Sequence, residues 1–181
     1  NGTVTLKNIT VSGKESTDSS LTAQAPLYEV QSGGNLILEQ AVLQNNQNGA
    51  ENGKGGAVVL QNGGNLRAQN GSAIINNEIA ATGKGTGVYV GAGSVLTLSG
   101  TYNTQNNQEI WLEDGETDGY FKVDGSLIVT GSDWIPLELD NYEDGRIIAE
   151  YVSGNADMNE SEKFCPNEEK MLENSLYLAA Q

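Results

Sequence analysis

A repeat with a period of about 30 residues dominates the middle of this sequence. Segments that begin at Tyr28, Val58 and Val88 align without a gap. Four columns of similar residues recur at this spacing: Val30, Leu60 and Val90; Leu36, Leu66 and Leu96; Leu38, Ala68 and Leu98; Asn46, Asn76 and Asn106. Repeats of this length are typical of solenoids, in which each unit buries its apolar face by stacking on the next.

Each unit consists of short, alternating apolar runs that are separated by Gly and Asn. In the second unit, Val58–Leu60 is followed by Gly63 and Gly64, and then by a run that carries Leu66 and Ala68. Alternation with a period of two turns one face of a strand inward. Helical periodicity is absent from residues 1–155. We therefore predict an all-β solenoid, a right-handed, single-stranded parallel β-helix.

The repeat extends beyond its three clearest copies, with small slips in spacing. Val4 precedes Leu36 by slightly more than one period. In "YFKVDGSLIV", we expect Leu127 to continue the column of Leu96, again at slightly more than one period. Residues 1–154 should therefore form four to five coils of about 30 residues each.

The end of the chain differs in composition from the coils. Residues 155–181 are rich in Glu and should form a C-terminal capping segment with a short helix and a strand at Ser175–Ala179. Such a cap is expected because an open coil exposes a sheet edge. The first residue is not Met, and we expect the chain to be a piece of a longer protein.

The asparagine column has a structural explanation. Stacked coils bring equivalent side chains to within about 4.8 Å of each other along the axis. Asn amides in such a column can form a hydrogen-bonded ladder, and Asn tolerates the left-handed backbone of tight corners. We therefore predict that Asn46, Asn76 and Asn106 form a structural ladder and not a ligand site.

Composition argues against several kinds of chemistry. The chain carries 24 Asp and Glu against 9 Lys and Arg, a formal charge of −15, which disfavours nucleic acid and anionic membranes. It contains no histidine, the commonest general base and metal ligand, and Cys165 is the only cysteine. No apolar stretch is long enough to span a membrane, and we predict no membrane contact by this chain. We predict no catalytic residue, no metal site and no cofactor.

Acidic loops leave Ca²⁺ open as an alternative. Glu113, Asp114, Glu116 and Asp118 crowd into "EIWLEDGETDG", and alternating carboxylates with Gly can surround a hard cation. The run matches neither the EF-hand loop nor the Ca²⁺-binding nonapeptide of β-helices. A solvated loop is the simpler interpretation.

Variable loops recur at one position of successive units. They are Lys14–Ala25, Gln47–Lys54, Glu78–Lys84 and Gln108–Asp118. In a solenoid such loops stack on one face, which is commonly the binding surface. Tyr89 and Tyr102 are predicted to lie outward or at a corner, and Trp111 either stacks on sugars or seals a coil end. The candidate binding residues are therefore Tyr102, Trp111, Glu113, Asp114, Glu116 and Asp118.

The runs "GGAVVLQNGG" and "IINNEIAATGKGTGVYVGAGSVLTLSG" resemble the repeats of bacterial surface adhesins, including the polymorphic outer-membrane-protein type. The adhesin element "FxxN" has Ile or Gln here in place of Phe. The resemblance implies a non-enzymatic module of a larger, extracellular bacterial surface protein, which acts as a rigid spacer or binds a host glycan or a cell-surface protein. The alternative is a polysaccharide-active lyase or glycoside hydrolase, or a carbohydrate-binding relative. Without His, and with only Arg67 and Arg146, the catalytic sets of known β-helix enzymes cannot be assembled.

Overall fold

The computed structural model describes residues 2–13, 24–105, 108–115, 117–131, 134–142, 147–153, 164–166 and 179–180. Within these ranges all regular structure is β, and the paired strands are parallel. No described segment forms a helix long and apolar enough to cross a membrane. The strands stack as a β-solenoid of about four turns. The predicted all-β solenoid is therefore confirmed.

Two main sheets and one short pair of strands form the walls of the solenoid. The large sheet stacks in the order β1 (Thr3–Lys7), β4 (Asn35–Glu39), β8 (Asn65–Gln69), β12 (Val95–Asn103), β14 (Tyr120–Thr130), β16 (Ile147–Ser153) and β18 (Ala179–Ala180). Around its corner lie β2 (Thr10–Ser12), β5 (Val42–Gln44) and β9 (Ser72–Ile75). The six-stranded sheet stacks in the order β3 (Tyr28–Val30), β7 (Val58–Leu60), β11 (Val88–Val90), β13 (Ile110–Leu112), β15 (Ile135–Leu139) and β17 (Phe164–Pro166). The short pair is β6 (Gln47–Asn48) and β10 (Glu78–Ile79).

Inward side chains form continuous apolar columns between the sheets. Leu36, Leu66, Leu96 and Phe121 lie in register on neighbouring strands of the large sheet, and all four are buried. Burial of such a side chain stabilises the fold by about 1.5–3 kcal/mol. The apolar columns of the repeat thus form the core, as the alternation predicts.

The coils shorten after the third copy of the repeat. The connection from β9 to β11 spans residues 76–87, whereas the connection from β12 to β13 spans only 104–109. Val88 therefore pairs with Ile110, and Leu96 pairs with Phe121, both well short of one full period. The expected alignment of Leu127 with Leu96 is wrong, because the connection in this coil has six residues instead of twelve.

Two strands lie within the predicted capping segment. Strand β17 pairs with β15, and β18 pairs with β16, so that both main sheets are extended. The other residues of the segment, including the predicted helix and most of Ser175–Ala179, lie outside the described residues.

Candidate functional site on the outer face of the six-stranded sheet

Two of the predicted loops stack in register. In the loops 47–54 and 78–84, β6 pairs with β10, and Lys54 forms a parallel bridge with Lys84. The Asn52 N–H donates to Thr82 Oγ1 at 3.0 Å, and the Lys84 N–H donates to the Gly53 carbonyl at 3.0 Å. These loops form the stacked face that the sequence predicts.

The other two predicted loops differ. Residues 14–23 lie outside the described part of the chain. Gln108–Asp118 contains β13 and the turn that leads to β14, so it does not stack on the loops 47–54 and 78–84. The shortened connection before β13 is the reason, because it advances this segment into the six-stranded sheet.

A buried amide ladder runs through Asn46, Asn77 and Gln108. The Asn46 N–H donates to Asn77 Oδ1 at 3.1 Å, and the Asn77 N–H donates to Gln108 Oε1 at 3.1 Å. Gln108 Nε2 donates back to the Asn77 carbonyl at 3.1 Å. All three side chains are almost fully buried. The ladder satisfies backbone groups that water cannot reach, and this role is structural.

The predicted position of the ladder is wrong by one residue in the second coil. Asn76 instead occupies a left-handed corner with φ of 55°. The strand register shifts by one position just before it, because Val42 pairs with Ala73, where the spacing of the leucine columns would give residue 72. Gly71, with φ of 84°, is the extra residue at the intervening corner. Asn106 lies outside the described residues.

Tyr102 lies in the core, so its prediction as an outward binding residue is wrong. Tyr102 points inward, as Leu98 does in the same strand β12, and it is 0% exposed. Its hydroxyl has no hydrogen-bond partner among the described residues, and burial raises the pKa of this phenol. A side chain in this position cannot contact a ligand.

Tyr89 anchors the first row of contacts on the outer face of the six-stranded sheet. It points outward, between the inward side chains of β11, but Lys54 covers it, with Nζ 4.4 Å from the ring centroid, and only 1% of Tyr89 is exposed. Lys54 Nζ also donates to Glu113 Oε1 at 2.8 Å. Burial, together with the hydrogen bond to Glu113, raises the pKa of Tyr89.

The carboxylate of Glu113 completes this first row. Its Oε2 accepts the Ala92 N–H at 2.9 Å. Burial alone would raise the pKa of Glu113, but the hydrogen bonds from Lys54, Tyr89 and the Ala92 N–H outweigh it and hold the pKa below its usual value. Glu113 is therefore an ionised, fixed acceptor.

Trp111 anchors a second row, one coil further on. Lys84 Nζ lies 4.8 Å from its ring centroid and forms an ion pair with Asp140 Oδ1. The indole N–H of Trp111 donates to the same oxygen at 2.9 Å. Trp111 itself is half-buried.

The two rows are equivalent by position. The backbones of Lys54 and Lys84 form a parallel β-bridge, and Tyr89 pairs with Trp111 in the six-stranded sheet. Glu113 and Asp140 each come directly after one of two paired strands, β13 and β15. Each row therefore contains one ammonium, one aromatic ring and one carboxylate. Among these six side chains, the sequence predicts Trp111 and Glu113 as binding residues and predicts that Tyr89 lies outward or at a corner. The recurrence of "GKG" at 53–55 and 83–85 is a signal for the lysines.

Two of the remaining acidic candidates, Asp114 and Asp118, do not join the rows. The carboxylate of Asp118 accepts the Gly115 N–H at 3.1 Å within the turn after β13, and Asp114 is exposed there. Glu116 lies outside the described residues. Among the residues that are described, no three His, Cys, Asp or Glu side chains converge on a possible metal position.

A shallow groove of about 280 Å³ lies on the outer face of the large sheet. Asn35, Asn65, Arg67 and Thr97 contribute to its lining. The guanidinium of Arg67 is held by Asp124 at 2.6 Å and by Gln69 at 2.7 Å. With Thr3 and Ile37, which also line it, the groove presents amides, hydroxyls, an apolar side chain and an arginine that is already paired.

Comparison of the chain with protein-family models, with curated proteins and with solved structures finds no match. The solenoid architecture therefore rests on the strand pairing described above, and the resemblance to adhesin repeats stays a prediction.

Proposed function

We propose that this chain is a non-enzymatic module of a larger cell-surface protein, in which the solenoid is a rigid spacer and its stacked loops offer a binding face. The observation that carries the proposal is the unbroken stacking of strands in both main sheets. Each coil adds about 4.8 Å to the stack. Bending would break strand pairs, apolar columns and the amide ladder together, so the stack resists it.

The adhesin-like repeats support an extracellular, bacterial setting for this module. Stacked loops such as 47–54 and 78–84 are a common place for recognition in solenoids, because they vary while the strands stay constant. A host glycan or a cell-surface protein is the partner that we propose for them.

The non-enzymatic assignment is supported by the side chains available for catalysis. The sequence contains no histidine. Arg67, the basic residue in the groove of the large sheet, donates to Asp124 and Gln69 and lies beside amides instead of a pair of carboxylates. Glycoside hydrolysis usually needs two carboxylates about 5–10 Å apart.

Two measurements test the proposal. Antibodies raised against this chain should label intact cells of the source organism, and prior treatment of those cells with an external protease should abolish the signal. The purified chain should release neither reducing sugar nor unsaturated uronide from pectin, alginate or mucin glycans. Labelling only after cell lysis, or steady product release that survives repurification, would overturn the proposal.

A further inference from the structure

We propose that the outer face of the six-stranded sheet binds a neutral polysaccharide, with Trp111 as its central contact. The face consists of the two rows, Lys54 with Tyr89 and Glu113, and Lys84 with Trp111 and Asp140. This inference goes beyond the spacer role and rests on the proposed function only in treating the chain as a binder that does not cleave its ligand.

Repetition along the axis favours a polymer. The same three kinds of side chain recur in successive coils because Tyr89 pairs with Trp111 and the two lysines bridge. Paired strands of a sheet lie about 4.8 Å apart. An extended chain of sugars that runs along the axis would therefore meet an ammonium and a carboxylate in each coil, which a single small molecule could not exploit. Tyr89 is 1% exposed beneath Lys54, so in the first row the ligand would contact Lys54 and Glu113 and not the ring.

The chemistry of each row suits sugar hydroxyls. A hydroxyl both donates and accepts hydrogen bonds, so it is best met by a donor and an acceptor side by side. In the second row, the hydrogen bonds from Lys84 and Trp111 to Asp140 both end on Oδ1, and Lys84 Nζ can donate three bonds. Lys84 Nζ lies over part of the Trp111 ring, and Trp111 is only partly buried, so the apolar face of a sugar ring can pack against the part of the indole that stays exposed beside Lys84.

Charge selects against acidic polymers. Each row combines one cation with one anion and is neutral as a whole, while the chain carries a net charge of −15. Uronate-containing or sulfated polymers would be repelled by the surplus of carboxylates. A neutral glucan, mannan or xylan would not.

The face lacks the apolar centre that a protein partner would need. Binding energy between proteins is concentrated in buried aromatic and apolar anchors. In the described part of the chain the exposed large apolar side chains are Val4, Ile9, Ile128 and Trp134, and none of them belongs to the six-stranded sheet.

The experiment is affinity electrophoresis of the full chain in native gels that contain mixed-linkage β-glucan, galactomannan, xylan or polygalacturonate. At least one neutral polymer should retard the chain, and Trp111→Ala should weaken its apparent affinity about tenfold, equivalent to about 1.4 kcal/mol. Trp134→Ala is the matched control, because Trp134 is 47% exposed and lies outside both rows. It should bind as the unaltered chain does.

A second measurement does not depend on how Trp111→Ala folds. The chain has two tryptophans, so Trp134→Phe leaves Trp111 as the single indole fluorophore. The polymer that retards the chain should shift the fluorescence emission of Trp111. The viscosity of the polymer solution should not fall, because the chain should not cleave the polymer. Binding with cleavage would agree with the proposed binding surface but would overturn the proposal that the module is non-enzymatic. Absence of binding by every neutral polymer, binding of polygalacturonate alone, or unchanged affinity in Trp111→Ala with no emission shift would overturn the surface.

Discussion

The substitution Asn77→Ala tests whether the buried amide ladder holds the coils together. The Asn77 side chain accepts the Asn46 N–H at 3.1 Å and donates to the carbonyls of Leu43 and Ile75 and to Gln108 Oε1. Alanine would leave at least the Asn46 N–H and the Leu43 carbonyl without this partner in a buried site. Each such group costs about 1–3 kcal/mol. We therefore expect the free energy of unfolding to fall by about 2–5 kcal/mol, a large part of the total for a typical domain.

Urea unfolding, followed by circular dichroism, measures this loss. The matched control is Asn76→Gly, one residue earlier, because Asn76 has φ of 55° and glycine adopts that conformation without strain. The control should change the unfolding free energy by less than about 1 kcal/mol. If Asn77→Ala lost less than Asn76→Gly, the buried ladder would not be a main source of stability.

Three further predictions concern single side chains. Tyr102→Phe removes a buried hydroxyl that has no described partner, so the unfolding free energy should stay constant or rise by about 1 kcal/mol, and a clear loss in thermal denaturation would contradict this. Gly64→Ala places a methyl group against the Val30 carbonyl and should cost about 1–3 kcal/mol in urea unfolding, whereas Gly2→Ala points into open space and should cost little. The pKa of Glu113 is lowered on folding, so its contribution is present above the unfolded pKa of about 4.3 and is lost as pH falls through the folded value. Glu113→Gln should therefore flatten the acid side of the stability profile, and an unchanged profile would refute the assignment.

The regular middle of the fold could be predicted because the sequence pattern and the stacking have the same period there. Leu36, Leu66 and Leu96 recur at one constant spacing and pair in register. The next partner of Leu96 is harder to predict, because both Phe121 and Leu127 are buried apolar residues of the same long strand, β14. Spacing alone favours Leu127 as the partner of Leu96. Only the length of the preceding connection shows that the partner is Phe121.

The candidate site could be predicted only in part. Trp111 and Glu113 stand out by residue type, but their contacts depend on register. Tyr89 and Trp111 are separated by much less than one period, so a search at the spacing of the repeat does not bring them together. The ladder position shifts from Asn76 to Asn77 because of one additional residue at a corner, which the columns of leucines do not reveal.

The short connection at 104–109 links these differences to the proposed binding surface. In a coil as long as the preceding one, Gly119 would follow Tyr89 in the six-stranded sheet. Because the coil is shorter, Trp111 takes that place and the aromatic pair forms. The same shortening leaves no equivalent of the loop 78–84 in the following coil, so the side chain of Lys84 extends forward across Trp111 to Asp140. The regular loop stack therefore ends where the partly exposed ring of Trp111 lies beside fixed donors and acceptors. We expect lengthening of residues 104–109 by one loop to abolish binding there while the coils before it stay intact.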